Sequence, residues 1–287
     1  MRDDTPSRTA QWVAAARGLG MLLPDDVRVA DDPYGIAFSS VRVANLVEKY
    51  GPRAIAMLPG MSTWIVYMQV RTKLLDDAVR RFVDEGGDQV VLLGAGFDCR
   101  ALRLPELDVV SVYEVDHPAT QQHKIRVLEE LGVDSPVEYV TWDFETNPMD
   151  DLGDALVEYG HDPERPTLTI WEGVTMYLTE GAIDSSLRAI AGWSAPRSLL
   201  AMTYFAKSRL TTSSLPTRIV RSIVKRLGEP FKWGISPEDL PLFLTERGWG
   251  VIDDLSTKDA AQTLFPPALA ATVSQADSRV ALCARSA

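Results

Sequence analysis

Gln89-Val90-Val91-Leu92-Leu93-Gly94-Ala95-Gly96-Phe97-Asp98-Cys99-Arg100 decides the reading of this 287-residue chain. Its first five residues make a short, mostly apolar run that fits a buried strand. The strand runs straight into a Gly-x-Gly turn, where the missing Cβ atoms let backbone approach a ligand closely. A dinucleotide fingerprint requires a third glycine where Cys99 stands, for close helix–strand packing. Cys99 therefore counts against a nicotinamide-dependent oxidoreductase.

Outward from this turn, the period of the apolar pattern changes near residue 88. Before it the pattern is helical: Ile65, Met68, Thr72, Leu75, Val79 and Phe82 form one stripe with a single polar member. After it, strand candidates at 89–93, 109–115, 137–142, 167–171, 199–205, 250–252 and 279–283 alternate with helical stretches. Helices are expected at 119–131 behind Pro118, at 180–192 and at 237–247 behind Ser236. The pattern implies an α/β, Rossmann-like, seven-stranded and mostly parallel sheet with an antiparallel, hairpin-like ending. Residues 1–88 are expected to form a helical N-terminal cap, 89–287 the core, and 206–235 a lid inserted after strand five.

The composition narrows the function. Residues of the hydrophobic class make up 46% of the chain, enough for a real core and too many for a disordered chain. The longest apolar stretches fall far short of the roughly 20 residues of a membrane-spanning helix. The start Met1-Arg2-Asp3-Asp4 carries acid and is followed by no apolar segment, so a cytoplasmic protein is expected rather than an exported one. Cys99 and Cys283 lie too far apart in sequence to form a metal pair or a disulfide framework. A net charge of −11 argues against nucleic acid as a partner. His117, His123 and His161 show no metal-ligand spacing, and no metal is expected.

Acids mark the ends of the next strands. Tyr113-Glu114-Val115-Asp116 places a carboxylate 20 residues beyond Gly96, where it can accept both hydroxyls of a ribose. Trp142-Asp143-Phe144 supplies an acceptor for an exocyclic amine beside an aromatic face, and Trp171-Glu172-Gly173 supplies another carboxylate. Carboxyl ends of parallel strands converge on one crevice, so Gly94, Asp116, Asp143 and Glu172 are expected to be neighbours. Carboxylates gathered there suit a cationic sulfonium cofactor better than a pyrophosphate, which favours cations or bare amides. Read singly, each feature is also an ordinary tight turn or helix cap.

Four stretches together resemble the leucine carboxyl methyltransferase-like branch of class I S-adenosylmethionine-dependent methyltransferases. They are Arg71-Thr72 with Asp76-Asp77, the turn 94–100, Tyr113-Glu114-Val115-Asp116-His117-Pro118, and Trp171-Glu172-Gly173-Val174-Thr175-Met176-Tyr177-Leu178. Cys99 stands where the family has threonine, and Asp143-Phe144 where it has Asp-Leu or Asp-Trp. The resemblance implies S-adenosyl-L-methionine as cofactor, with Arg71 on the methionine carboxylate and Gly94 and Gly96 beneath the methionine and sulfonium. It puts Asp116 on the ribose with Glu114 as the alternative, Asp143 and Phe144 at the adenine, and Glu172 towards the cationic amino end. Arg100, which closes the glycine motif, is grouped with these residues, and Tyr177 matches a family tyrosine near the acceptor, as catalytic or substrate-binding residue.

Methyl transfer from a sulfonium is an in-line displacement, in which the protein positions the groups and excludes water. A carboxylate acceptor is already ionised at pH 7, whereas a phenol benefits from a base. No catalytic histidine is evident, which favours a carboxylate, as the resemblance also implies; the resemblance further implies a small-molecule or peptide substrate, in specialised metabolite biosynthesis. Alternatives are a phenolic or polyketide-like hydroxyl acceptor, and a non-catalytic adenosyl-binding module.

Between Lys207 and Arg226 lie six cations and no acid. Arg218, Arg221 and Lys225 share one helical face behind Pro216, with Ile219, Val220, Ile223 and Val224 on another. This segment reads either as an amphipathic lid holding an anionic substrate through Arg209, Arg218 and Arg221, or as a solvated basic face. Membrane-surface docking is a smaller alternative. Under the lid reading, reversing Arg218 and Arg221 to glutamate raises the KM for an anionic acceptor; unchanged KM and activity overturn that reading.

Overall fold

The computed structural model describes residues 6–57, 60–208, 231–273 and 277–286. Seven strands build one sheet: β1 Gln89–Leu93, β2 Ser111–Asp116, β3 Glu138–Thr141, β4 Thr167–Trp171, β5 Leu199–Phe205, β6 Trp249–Ser256 and β7 Ser278–Arg285. Their order is β3-β2-β1-β4-β5-β7-β6. The first five are parallel to one another, and β7 runs antiparallel to both β5 and β6. The chain reverses its direction of travel across the sheet between β1 and β4, so the crevice for a ligand opens beyond the carboxyl ends of these strands.

Helices α1 Arg8–Leu19, α2 Val41–Tyr50, α3 Pro52–Ala56 and α4 Met61–Asp84 precede the sheet. The whole stripe predicted on α4, Thr72 included, is buried. Its first half sets Val66 and Val70 against Ala261 and Phe265, and its second half sets Leu75, Val79 and Phe82 against Val90, Leu92 and Ile170. Helix α4 thus reaches from the N-terminal segment onto one face of the sheet. Helices α5 Arg100–Arg103, α6 Pro118–Glu130, α7 Leu152–Glu158 and α8 Glu180–Gly192 follow β1, β2, β3 and β4 in turn. The opposite face packs Val91, Leu93, Trp171 and Met202 against Ile183, Leu187 and Ile190 of α8. All five residues of β1 are buried, as a strand covered on both faces requires.

Three boundaries move for local reasons. Strand β2 starts at Ser111 because Val110 N–H is engaged in a turn with Leu107 O, leaving Val109 exposed. Strand β6 runs on to Ser256 past a bulge between Val251 and Asp253, and Asp254 is held within it by Tyr204 and Arg279. The helix expected at 237–247 shortens to Leu240–Thr245. Strands β6 and β7 do pair antiparallel, but helices Thr257–Leu264 and Pro267–Ala270 lie between them.

At the end of the sheet away from the crevice, His161 is buried beside Thr167 Oγ1 (2.9 Å) and edge-on to Tyr113. Burial pushes its pKa down from 6.5 to about 4. The folded state therefore favours the neutral ring, and stability present above pH 6.5 is lost as pH falls towards 4. The expected loss between pH 6.5 and 5 is about 2 kcal/mol. Urea midpoints across that window should fall in the wild type and flatten in His161→Gln.

Candidate functional site

The turn after β1 is built on β2. Gly94 and Ala95 N–H both donate to Val115 O, at 2.8 and 3.1 Å, and Gly96 N–H donates to Asp116 Oδ2 at 2.6 Å. His117 N–H donates to Asp116 Oδ1, also at 2.6 Å. Gly94 and Gly96 have φ of +70° and +55°, and a Cβ on Gly94 would meet Val174 Cγ2 at 2.7 Å, so larger residues are excluded there. Helix α6, Pro118–Glu130, begins immediately after Asp116, with His117 Nδ1 accepting from Ala119 N–H. The carboxylate of Asp116 is thus oriented by one N–H on each oxygen, with lone pairs left over. Burial raises its pKa, opposed by these two N–H groups.

Asp143 lies just beyond β3, tied to the end of β2 through Trp142 N–H donating to Asp116 O at 2.9 Å. It accepts from Glu145 N–H and Thr146 Oγ1, and the Glu145 N–H holds its pKa down. Phe144 beside it is exposed. An oriented carboxylate and an exposed ring therefore border the end of β2.

Beyond β4 the charge is buried. Glu172 Oε1 accepts from Arg71 Nε and Nη2 at 2.8 and 2.7 Å, and Oε2 accepts from Arg100 Nη1 at 2.8 Å. Arg100 also binds Asp76 Oδ1 at 2.9 Å and Asp98 Oδ2. Arg103 forks onto Asp76 at 2.6 and 2.7 Å, and Arg17 of α1 binds Asp32 at 2.8 Å. Four guanidinium groups face four carboxylates, so the cluster is neutral. Burial alone would raise the pKa of Glu172, but Arg71 and Arg100 hold it well below the usual carboxylate range. Arg100 Nη2 is buried without a protein partner among the described residues, as is Thr72 Oγ1.

Tyr177 closes a 3₁₀ turn, Thr175–Tyr177, at the end of β4. That turn is tied to β5 by Gly173 N–H to Thr203 Oγ1 and Thr175 Oγ1 to Thr203 O, both 2.7 Å. The Tyr177 ring lies 5.8 Å from Phe231, which stands edge-on to Phe205.

The structure brings Gly94, Gly96 and Asp116 into direct contact, and likewise Arg71, Arg100 and Glu172. Glu114 lies one pleat deeper than Asp116, buried, with both oxygens taken by Lys124 Nζ at 2.6 and 2.5 Å. Arg100 is entirely enclosed, behind the surface of the site rather than on it. Arg209, Arg218 and Arg221 lie outside the described residues, as does most of 206–235. Arg17, Asp32, Arg103 and Lys124 were not singled out from the sequence, and Asp76 and Asp98 appeared only as motif letters. Lys124 left one signal: it sits four residues before Leu128 on the buried face of α6.

The sheet order and the acid-lined crevice define a class I methyltransferase fold. The family model described as leucine carboxyl methyltransferase matches residues 10–191, more than half of the sequence, and the chain belongs to that family. A Mycobacterium sp. (strain KMS) protein named as an S-adenosyl-L-methionine-dependent methyltransferase is 33% identical over 264 residues, covering 85% of this chain and 82% of the relative. A similarly named Streptomyces avermitilis protein is 38% identical over 134 residues, covering 47% of each chain. Among solved structures, a methyltransferase from Thermobifida fusca YX aligns with a TM-score of 0.59 at 17% identity, covering 100% of this chain and 97% of its own. At that identity the likeness is one of fold.

Replacing Arg100 by methionine leaves Asp76, Asp98 and Glu172 buried and short of a partner. The expected cost is about 3–5 kcal/mol. It should appear as a lower urea midpoint with an unchanged slope.

Proposed function

We propose that this chain is an S-adenosyl-L-methionine-dependent O-methyltransferase that acts on a carboxylate of a small-molecule or peptide acceptor, in specialised metabolite biosynthesis. The residues present fit the cofactor. Asp116 keeps lone pairs for a ribose beyond its two N–H bonds, Gly94 and Gly96 hold the turn at positive φ against Val174 and Ala10, and Arg71, with Nε and Nη2 on Glu172, offers its remaining Nη1 to a carboxylate. Asp143 and Phe144 border the adenine end. Glu172, its charge matched by Arg71 and Arg100, keeps lone pairs that can accept from the cationic amino end, while Arg100 and Glu114 support the site from behind. When bound, the cofactor supplies an electrophilic methyl group on a sulfonium.

One observation carries the carboxylate reading: the buried acids beside the glycine turn and beyond β4 are poor bases. Glu172 is locked by Arg71 and Arg100 with its pKa far down, and Asp98 is likewise held low by Arg100 and Arg17 against the cost of its burial. All three histidines are engaged elsewhere, His117 as the cap of α6, His123 against Phe97 and His161 beneath Tyr113. An acceptor that arrives already ionised needs no base, and a carboxylate does so at neutral pH. The chain's own work is then to orient the acceptor oxygen, a role for Tyr177, and to exclude water.

The test is transfer of labelled methyl from S-adenosyl-L-methionine into an extract of the producing cell, followed by mild alkali. Volatile methanol from an ester is the expected product; alkali-stable label overturns the carboxylate reading in favour of a hydroxyl. Asp116→Ala is expected to weaken binding of S-adenosyl-L-homocysteine at least tenfold, measured by calorimetry.

A further inference from the structure

Two buried cations take hold of consecutive carbonyl oxygens in the glycine turn. Arg17 Nη2 donates to Phe97 O at 2.5 Å, and Lys124 Nζ donates to Asp98 O. Both side chains are almost fully enclosed, at 6% and 1% exposure. They come from separate elements, α1 in the N-terminal segment and α6 after β2, and each is neutralised by its own acid. Asp32 serves Arg17, and Glu114 serves Lys124. Asp32 is itself fixed by Tyr34 and Gly35 N–H.

Burying a cation is expensive, and an ion pair alone returns little net stability compared with apolar packing. Here each buried cation has a second bond, to the same two-residue segment of backbone. The turn they grip presents Gly96 N–H to Asp116 Oδ2, so a shift of the 97–98 peptide would loosen the hydrogen bond that orients the carboxylate. Other contacts close on the same place. Ala10 of α1 lies where a Cβ on Gly96 would meet it at 3.3 Å, and Ser7 N–H donates to Thr120 Oγ1 on α6 at 3.2 Å. Helix α1 and helix α6 thus bracket the turn, each with one charged donor on its backbone.

We infer that Arg17 and Lys124 are positioning residues for cofactor binding, which hold the 94–100 turn, and through it Asp116, in the binding geometry. This rests on the assignment of Asp116 and the turn to the cofactor. Neither side chain touches the cofactor; each acts through a carbonyl of the turn. The N-terminal helix is in this way part of the cofactor site, through Arg17, although it lies outside the sheet.

The test is calorimetric binding of S-adenosyl-L-homocysteine to the full chain, at a temperature where circular dichroism shows each variant folded. Arg17→Met should weaken binding at least tenfold, and Arg17→Lys, which keeps a cation for Phe97 O, should restore most of it. Because Lys124→Met alone strands a buried Glu114, the second comparison is E114Q against E114Q/K124M, where the double variant should bind at least tenfold more weakly. Amides of the 94–100 turn should exchange hydrogen faster in Arg17→Met while those of β4 and β5 do not. If Asp116→Ala loses affinity but Arg17→Met and the double variant stay within twofold of their references, the positioning role is overturned and the cofactor assignment stands. If Asp116→Ala binds like the wild type, the assignment falls, and the inference with it. A loss in Arg17→Met that Arg17→Lys does not restore, with exchange raised throughout the sheet, overturns the role as well.

Discussion

Glu172 stands at the end of a central strand where little water reaches it, and a carboxylate in that place must be neutralised by the protein or give up its charge. Arg71 and Arg100 neutralise it, and doing so commits much of the surrounding structure. Arg71 belongs to α4, so that helix must pass over the end of β4. Arg100 belongs to the helix after the glycine turn, and needs Asp76 and Asp98 in its turn. The ends of β1 and β4, the glycine turn and α4 are therefore joined by charge as well as by packing.

Such a cluster is a poor source of stability relative to an apolar core of the same volume, because each ion gives up hydration. Its value lies in what it holds in place. The apolar contacts of α4 with β1 and β4 set the separation between helix and sheet, and the ion pairs then choose one rotation and one register at the crevice end. Arg17 and Lys124 extend this arrangement to the backbone of the turn. The result is that donors and acceptors at the ends of β1, β2 and β4 are fixed by contacts within the chain, as catalysis by positioning would require.

The same electrostatics bear on the chemistry. A carboxylate clasped by two guanidinium groups keeps its charge and loses its basicity, so Glu172 can complement a nearby cation but cannot take a proton from a neutral acceptor. The histidines are engaged within the fold, His117 at the start of α6, His123 against Phe97 and His161 beside Thr167. Methyl transfer to an oxygen that is already anionic makes the smallest demand on such a site.

The strands, their alternation with helices and the glycine turn were legible in the sequence because they depend on local periodicity and on residues with special backbone freedom, as at Gly94 and Gly96. The buried stripe of α4 was legible for the same reason, and the acids at the ends of β2, β3 and β4 because parallel topology brings strand ends together. Boundaries such as the bulge in β6 were not, since Ile252 is left exposed by a register shift that its own neighbours in sequence do not encode. Nor was the partnership of Glu172 with Arg71, 101 residues away, or of Lys124 with Asp98 and Glu114. A charged side chain in a sequence carries no mark of its partner. By itself the sequence determined the architecture and the chemical character of the crevice; only the tertiary structure decided which charges neutralise one another and which remain to meet a ligand, because burial and distance exist only once the chain is folded.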